Sequence, residues 1–120
     1  MHFASLGSGS KGNATLVRAG DTLLMVDCGF SLRETVRRLE RLSVRPEQLD
    51  AILVTHEHSD HCAGVAALSR KFEIPVYLSH GTAGTGRCDG SHQFNCFNTD
   101  ESFRVGCLDV LPGRAQAFAC

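Results

Sequence analysis

The stretch T55-H-E-H-S-D-H-C-A-G64 places three histidines and one aspartate within six consecutive positions, 56 to 61. Imidazole and carboxylate are the usual ligands of zinc and similar borderline divalent metals. The run before it, A51-I-L-V54, is apolar throughout and suits a strand buried on both faces. The run S59-D-H-C-A-G-V-A-A-L-S-R-K-F72 has helical character, with Ser59 or Asp60 as the cap. A strand that runs into a helix through a ligand-rich turn is the edge at which α/β folds commonly bind their ligands. His56 and His58 are two apart and can point to one side of an extended turn, whereas Asp60 and His61 can face a second point nearby. That spacing suits two adjacent metals better than one. The zincin pattern H-E-x-x-H begins at His56-Glu57 but needs histidine at 60, where Asp60 stands, and it needs a helix interior.

Working outward, H2-F-A-S-L6 alternates like a strand, and A14-T-L-V-R-A-G20 and D21-T-L-L-M-V-D27 read as two more strands joined by a hairpin at Gly20-Asp21. S31-L-R-E-T-V-R-R-L-E-R-L42 is the clearest helix. Ser31 and Glu34 stand at capping-box spacing, and Leu32, Val36, Leu39 and Leu42 form its apolar stripe. Pro46 interrupts the chain before the buried strand. I74-P-V-Y-L-S79 is the next strand, the glycine-rich stretch 81–100 has no clear reading, and F103-R-V-G-C-L-D-V-L111 suggests two short strands around Gly106. The end, R114-A-Q-A-F-A-C120, has no identifiable partner element. Strands followed by alternating helix and strand indicate a layered α/β fold.

Gly7, Gly9 and Gly12 match G-x-G-x-x-G, yet the third glycine leads into strands instead of opening a helix, so the dinucleotide reading fails. The P-loop reading fails as well, because the order is Lys11-Gly12. The loop is a tight strand connection, with Ser8, Ser10 and Asn13 as candidates to line a site.

The 120 residues are enough for one globular domain with a real core. A net charge of −1 gives no whole-molecule attraction to nucleic acid or to an anionic membrane. No run of 18 apolar residues is present, so no membrane-spanning helix is expected. The six cysteines show no CxxC pair; without an export signal they read as reduced thiols, and the expected location is cytoplasmic. Arg33, Arg37 and Arg41 recur every four residues on one helix face, a stripe that reads either as a phosphate-backbone contact or as a solvated face relieved by Glu34 and Glu40.

T-H-x-H-x-D-H after an apolar strand resembles the signature of the metallo-β-lactamase fold hydrolases. S5-L-G-S-G-S-K-G-N-A-T-L-V17, L23-L-M-V-D-C-G-F-S31 and I52-L-V-T-H-E-H-S-D-H-C-A-G-V65 are similar, in order and spacing, to the YycJ/WalJ-like (VicX-like) branch, for which nuclease activity has been proposed. The resemblance implies an αββα sandwich, of which residues 1–120 would form the amino-terminal half: a sheet of mainly short strands with two helices. It implies that His56 and His58 hold a first metal, that Asp60 and His61 hold a second, and that Asp27 in D27-C-G29 supports the metal-binding loop from behind. The cofactors implied are two divalent ions, zinc or else manganese or iron. The implied reaction is hydrolysis of a phosphodiester, in nucleic acid, by a metal-activated water, with Asp60 anchoring the second metal and orienting the nucleophile. No membrane partner is implied, and the oligomeric state is left open.

The family completes its site with a later histidine, a bridging aspartate and a final histidine. Here the run LDVLP, Leu108 to Pro112, is followed by a departure from the family pattern over residues 112–120, and no histidine follows His92. His80 and His92 lie outside the family's ligand positions, and Asp100 and Asp109 match no bridging position. The expectation is a truncated chain, with one sheet face left bare. The alternative function is then a catalytically incomplete metal-binding or interaction fragment.

Overall fold

In the computed structural model, the described residues are 2–7, 12–55, 62–86, 88, 90–98, 100–111 and 116–119. Six strands form one sheet in chain order: β1 (His2–Gly7), β2 (Ala14–Ala19), β3 (Thr22–Val26), β4 (Ala51–Leu53), β5 (Pro75–Ser79) and β6 (Gln93–Phe97). The first three pair antiparallel, whereas β3 through β6 run parallel. A second, antiparallel sheet holds β7 (Phe103–Val105), β8 (Leu108–Leu111) and β9 (Gln116–Ala119). The helices are α1 (Leu32–Arg41), α2 (Val65–Phe72) and the short α3 (His80–Gly84), with a 3₁₀ turn at Pro46–Gln48.

The period-2 alternation of the large sheet divides its side chains between two cores. Leu16, Leu23, Met25, Ile52, Val54, Val76 and Leu78 face the helices and pack with Leu39 of α1 and with Val65 and Leu68 of α2. Val17, Ala19, Leu24, Ala51 and Leu53 face the other way, onto Val105, Leu108 and Val110 of the second sheet. Ala51, Ile52 and Leu53 are all buried, which is why this strand carries no polar residue. The layers described are thus helix, sheet, sheet. The expectation of a bare sheet face is corrected here, because β7 and β8 cover it in part. Phe3 on edge strand β1, in register with Val17, remains 64% exposed.

Local chemistry explains the element ends. Gly20 supplies a positive φ of 58° in the two-residue turn between β2 and β3. Ser31 caps α1 by accepting from the Glu34 N–H at 3.2 Å, but the Glu34 carboxylate binds Arg37 and Arg38, so only half of the capping box forms. Thr35 joins Leu39 on the buried face, and Leu42, expected in the apolar stripe, is exposed instead. Gly106, at φ 53°, turns β7 into β8 against Thr22, whose Oγ1 accepts the Cys107 N–H at 2.8 Å and ties the two sheets together.

Two sequence expectations change, and a third lies partly outside the described residues. The unread stretch 81–100 contains α3 and β6, giving three helices among the described residues where two were expected. The C-terminal run contains β9, which pairs with β8 in the register Leu108↔Ala119. The second long helix is described as Val65–Phe72 with Gly64 as its cap, and the expected caps Ser59 and Asp60 lie outside the described residues.

Leu108 has no exposed surface and sits at the centre of the inter-sheet core. Leu108→Ala is expected to lower the unfolding free energy by about 2–5 kcal/mol, read from urea denaturation. An unchanged midpoint would place the second sheet outside the cooperative unit.

Candidate metal centre

The register of the sheet brings the carboxyl ends of β3, β4, β5 and β6 to one edge. That is the edge where side chains and loops of a parallel sheet are free to meet a ligand. The four residues with metal-ligand chemistry, His56, His58, Asp60 and His61, come after β4 in the sequence and lie outside the described residues. Among the described residues no group of three or more His, Cys, Asp and Glu side chains is placed to hold a metal.

What the structure describes is how both flanks of that segment are held. Asp27 follows β3 with a left-handed φ of 64°, a conformation that short polar residues such as Asp tolerate better than most. Its N–H bonds the Leu53 carbonyl at 2.7 Å, continuing the ladder to β4. The residue is 6% exposed, and its carboxylate accepts twice from Thr55: from N–H to Oδ1 at 2.8 Å and from Oγ1 to Oδ2 at 2.6 Å. Thr55 immediately precedes His56.

The other flank is tied to the same turn. The Gly64 N–H bonds the Cys28 carbonyl at 2.9 Å, and a Cβ at Gly64 would overlap the Phe30 carbonyl oxygen. Only glycine allows α2 to start that close to the turn. Residues 27–30 therefore grip the chain immediately before the segment and three residues beyond it. Cys28 is buried beneath this turn, with its thiol donating to the Phe30 carbonyl at 3.9 Å and lying 3.4 Å from Thr35 Oγ1. Burial pushes its pKa up to about 11, so at neutral pH it is a thiol and takes no part as a thiolate ligand.

The remaining histidines are placed elsewhere. His80 is exposed at the first turn of α3, and His92 is an exposed bend residue whose N–H bonds Ser69 Oγ at 2.9 Å. Asp100 is exposed, and Asp109 pairs with Arg104 across β7 and β8 at 2.9 Å, on the small sheet. Of the glycine loop, Gly12 and Asn13 lead directly into β2, as a strand connection requires, while Ser8 and Ser10 lie outside the described residues. Arg33, Arg37 and Arg41 are exposed on α1, but Arg37 is engaged by Glu34 at 2.7 Å. Thr55, Gly64 and Phe30 stand within the stretches that carry the family resemblance, but their supporting roles were not readable there, because each acts through a contact distant in sequence.

The turn has two measurable consequences. Asp27→Ala strands the Thr55 donors and puts Ala in the left-handed region, for an expected loss of about 2–4 kcal/mol; Asp27→Asn, which keeps one acceptor, should lose less in the same urea measurement. The raised pKa of Cys28 means that its stabilising contribution is complete below its ordinary value of 9.0 and is lost as pH rises through about 11. The stability difference between the parent and Cys28→Ala should therefore shrink over that interval.

Comparison with known proteins agrees with this fold. A model of the metallo-β-lactamase superfamily matches residues 7–93. The exodeoxyribonuclease YycJ of Bacillus anthracis is 40% identical over 110 residues, covering 92% of this chain and 40% of that protein. The exodeoxyribonuclease WalJ of Streptococcus pneumoniae serotype 2 (strain D39 / NCTC 7466) is 41% identical over 115 residues, covering 90% of this chain and 42% of that protein. The chain thus spans about two fifths of the length of these relatives. Among solved structures, the Rm3 metallo-β-lactamase superposes with a TM-score of 0.74 at 22% identity, over 89% of this chain and 46% of that one. The chain belongs to the metallo-β-lactamase superfamily.

Proposed function

We propose that the chain carries the first part of a two-metal hydrolase site whose substrate is a nucleic-acid phosphodiester. The observation that carries this reading is the pair of hydrogen bonds that Thr55 donates to the Asp27 carboxylate, which anchors the residue next to His56 at the sheet edge. Both relatives are exodeoxyribonucleases, which favours DNA over other phosphodiesters.

The donor set fits a divalent metal. Three imidazoles and a carboxylate within six residues match borderline cations, and the buried Asp27 carboxylate accepts two bonds from Thr55 beside them. His56 and His58 would hold one ion, and Asp60 and His61 the other. Zinc is the first choice, with manganese and iron served by the same ligands. The chemistry that a bound divalent cation supplies there is activation of water and stabilisation of charge developing on a phosphoryl oxygen. The chain's own residues do the positioning. Asp27 holds Thr55, Gly64 sets the start of α2, and Asp60 would orient the nucleophile from the ligand segment. The exposed arginines of α1, Arg33 and Arg41 foremost, are available to a phosphate backbone. Among the described residues no helix is long and apolar enough to cross a membrane, and a nucleic-acid substrate fits a cytoplasmic location.

The second reading is a metal-binding or interaction fragment without catalysis: the ligand-type residues proposed here stand in one short segment, and the chain spans about two fifths of the length of its relatives. Metal content and DNA cleavage separate the two. The purified chain is expected to bind zinc or manganese weakly, because four ligands on one segment do not close two coordination shells. Asp60→Ala combined with His61→Ala should lower the bound metal further. Equal metal content in the two proteins would sink the site assignment. Metal binding without cleavage of a DNA oligonucleotide would select the non-catalytic reading.

A further inference from the structure

We propose that Arg38, acting through Phe30, is a positioning residue for the histidine segment, and that Gly7 and Gly12 are glycines because they seat this pair. The inference rests on reading 56–61 as metal ligands. Phe30 ends the turn that holds Thr55 and Gly64, and it is 7% exposed. Gly7 and Gly12 lie against its ring so closely that a Cβ on either would come within 2.7 Å of ring atoms. The Arg38 guanidinium covers the ring, 4.1 Å from the centroid.

Arg38 is itself fixed in two directions. It donates to the Glu34 carboxylate at 2.8 Å within α1 and to the Leu6 carbonyl at the end of β1. A planar guanidinium can stack on an aromatic face and donate sideways at the same time, which an ammonium does poorly. A second tie, Gly29 N–H to the Asn13 carbonyl at 3.0 Å, joins the turn to the start of β2. The ends of β1 and β2, the first turns of α1 and the turn 27–30 thus form one packed unit around Phe30. The outer side of that unit is the Phe30 carbonyl, which accepts from Thr35 Oγ1 at 3.4 Å and abuts Gly64. Without the guanidinium, Phe30 loses its cover and the turn can shift. Any shift is passed to both flanks of the segment through Asp27–Thr55 and Cys28–Gly64.

A built-in control is available. Arg37 binds the same Glu34 carboxylate at 2.7 Å but is exposed, and the contacts to Phe30 and to the Leu6 carbonyl are made by Arg38. Arg38→Met and Arg37→Met each remove one cation from Glu34, and only the first uncovers Phe30. The test is amide hydrogen exchange on the full chain, together with zinc affinity by chelator competition. Arg38→Met is expected to speed exchange at the Thr55 and Gly64 amides at least about tenfold more than at Met25 and Ile52 in the sheet, and to weaken zinc binding about tenfold or more. Arg37→Met should do neither. If Arg38→Met does not fold, Arg38→Lys carries the same comparison with a smaller expected effect. Uniform acceleration across the sheet, or parental zinc affinity in the Arg38 variant, overturns the inference and leaves the metal reading standing. A parent that takes up no zinc or manganese overturns the metal reading instead, and exchange at Thr55 and Gly64 then decides the positioning role alone.

Discussion

The Asp27 carboxylate is the constraint on which the candidate site depends. A buried carboxylate is costly unless its oxygens are satisfied, and here each oxygen accepts one bond from Thr55. The backbone at the same residue must be left-handed so that the chain can leave β3 and enter the turn below α1. Glycine would meet the second demand and fail the first, and glutamate would meet neither as well. Aspartate combines a short acceptor with tolerance of positive φ, at a backbone cost of about 1–2 kcal/mol. D27-C-G29 is therefore a strand-end turn whose carboxylate also holds the residue beside His56.

The two-sided sheet follows from the alternation in its central strands. Leu23 and Met25 go to the helical side, while Leu24 goes to the second sheet, and β4 repeats the division with Ile52 between Ala51 and Leu53. Because β3 to β6 are parallel, each connection must cross the sheet, and helices on one face satisfy the right-handed crossover. The same parallelism gathers the strand ends at one edge. The chain leaving β4 at Val54 and Thr55 thus lies between the turn after β3 and the β5–α3 junction. Site and fold share a cause, which is the direction of four strands.

Much of this was legible in the sequence because the signals were local. Gly20-Asp21 between two alternating runs marks a hairpin, Ser31 and Glu34 mark a helix start, and A51-I-L-V54 announces a doubly buried strand. β6 escaped because Gln93, Phe94 and Cys96 are exposed on an edge strand, so no apolar alternation is written into it. α3 contains two glycines in five residues and is held instead by Ser79, which accepts from the Thr82 N–H at 3.1 Å. β9 depends on β8 for its existence, a pairing that no local pattern announces. Around the candidate site, the density of histidines carried the family resemblance, whereas Thr55 bonds across 28 residues and Arg38 reaches back 32 residues to Leu6. The G-x-G-x-x-G pattern misleads because glycine spacing records close approach without saying to what. Here two of its three glycines approach a phenylalanine ring.

A ligand segment of six residues needs such support for an entropic reason. Fixing one residue's backbone costs about 1–2 kcal/mol, so a metal that had to order residues 56–61 alone would forfeit about 6–12 kcal/mol of its binding energy. Anchors at Thr55 and Gly64 limit the conformations that the intervening chain can reach before any ligand arrives. The anchors draw their rigidity from groups with no place in the ligand set: a buried carboxylate, a glycine with no room for a side chain, and a ring held between two glycines and a guanidinium. Substitutions in those groups should consequently act on affinity through the free chain, not through the ligand set. That separates them in kind from changes at His56, His58, Asp60 and His61, which would remove the proposed donors outright.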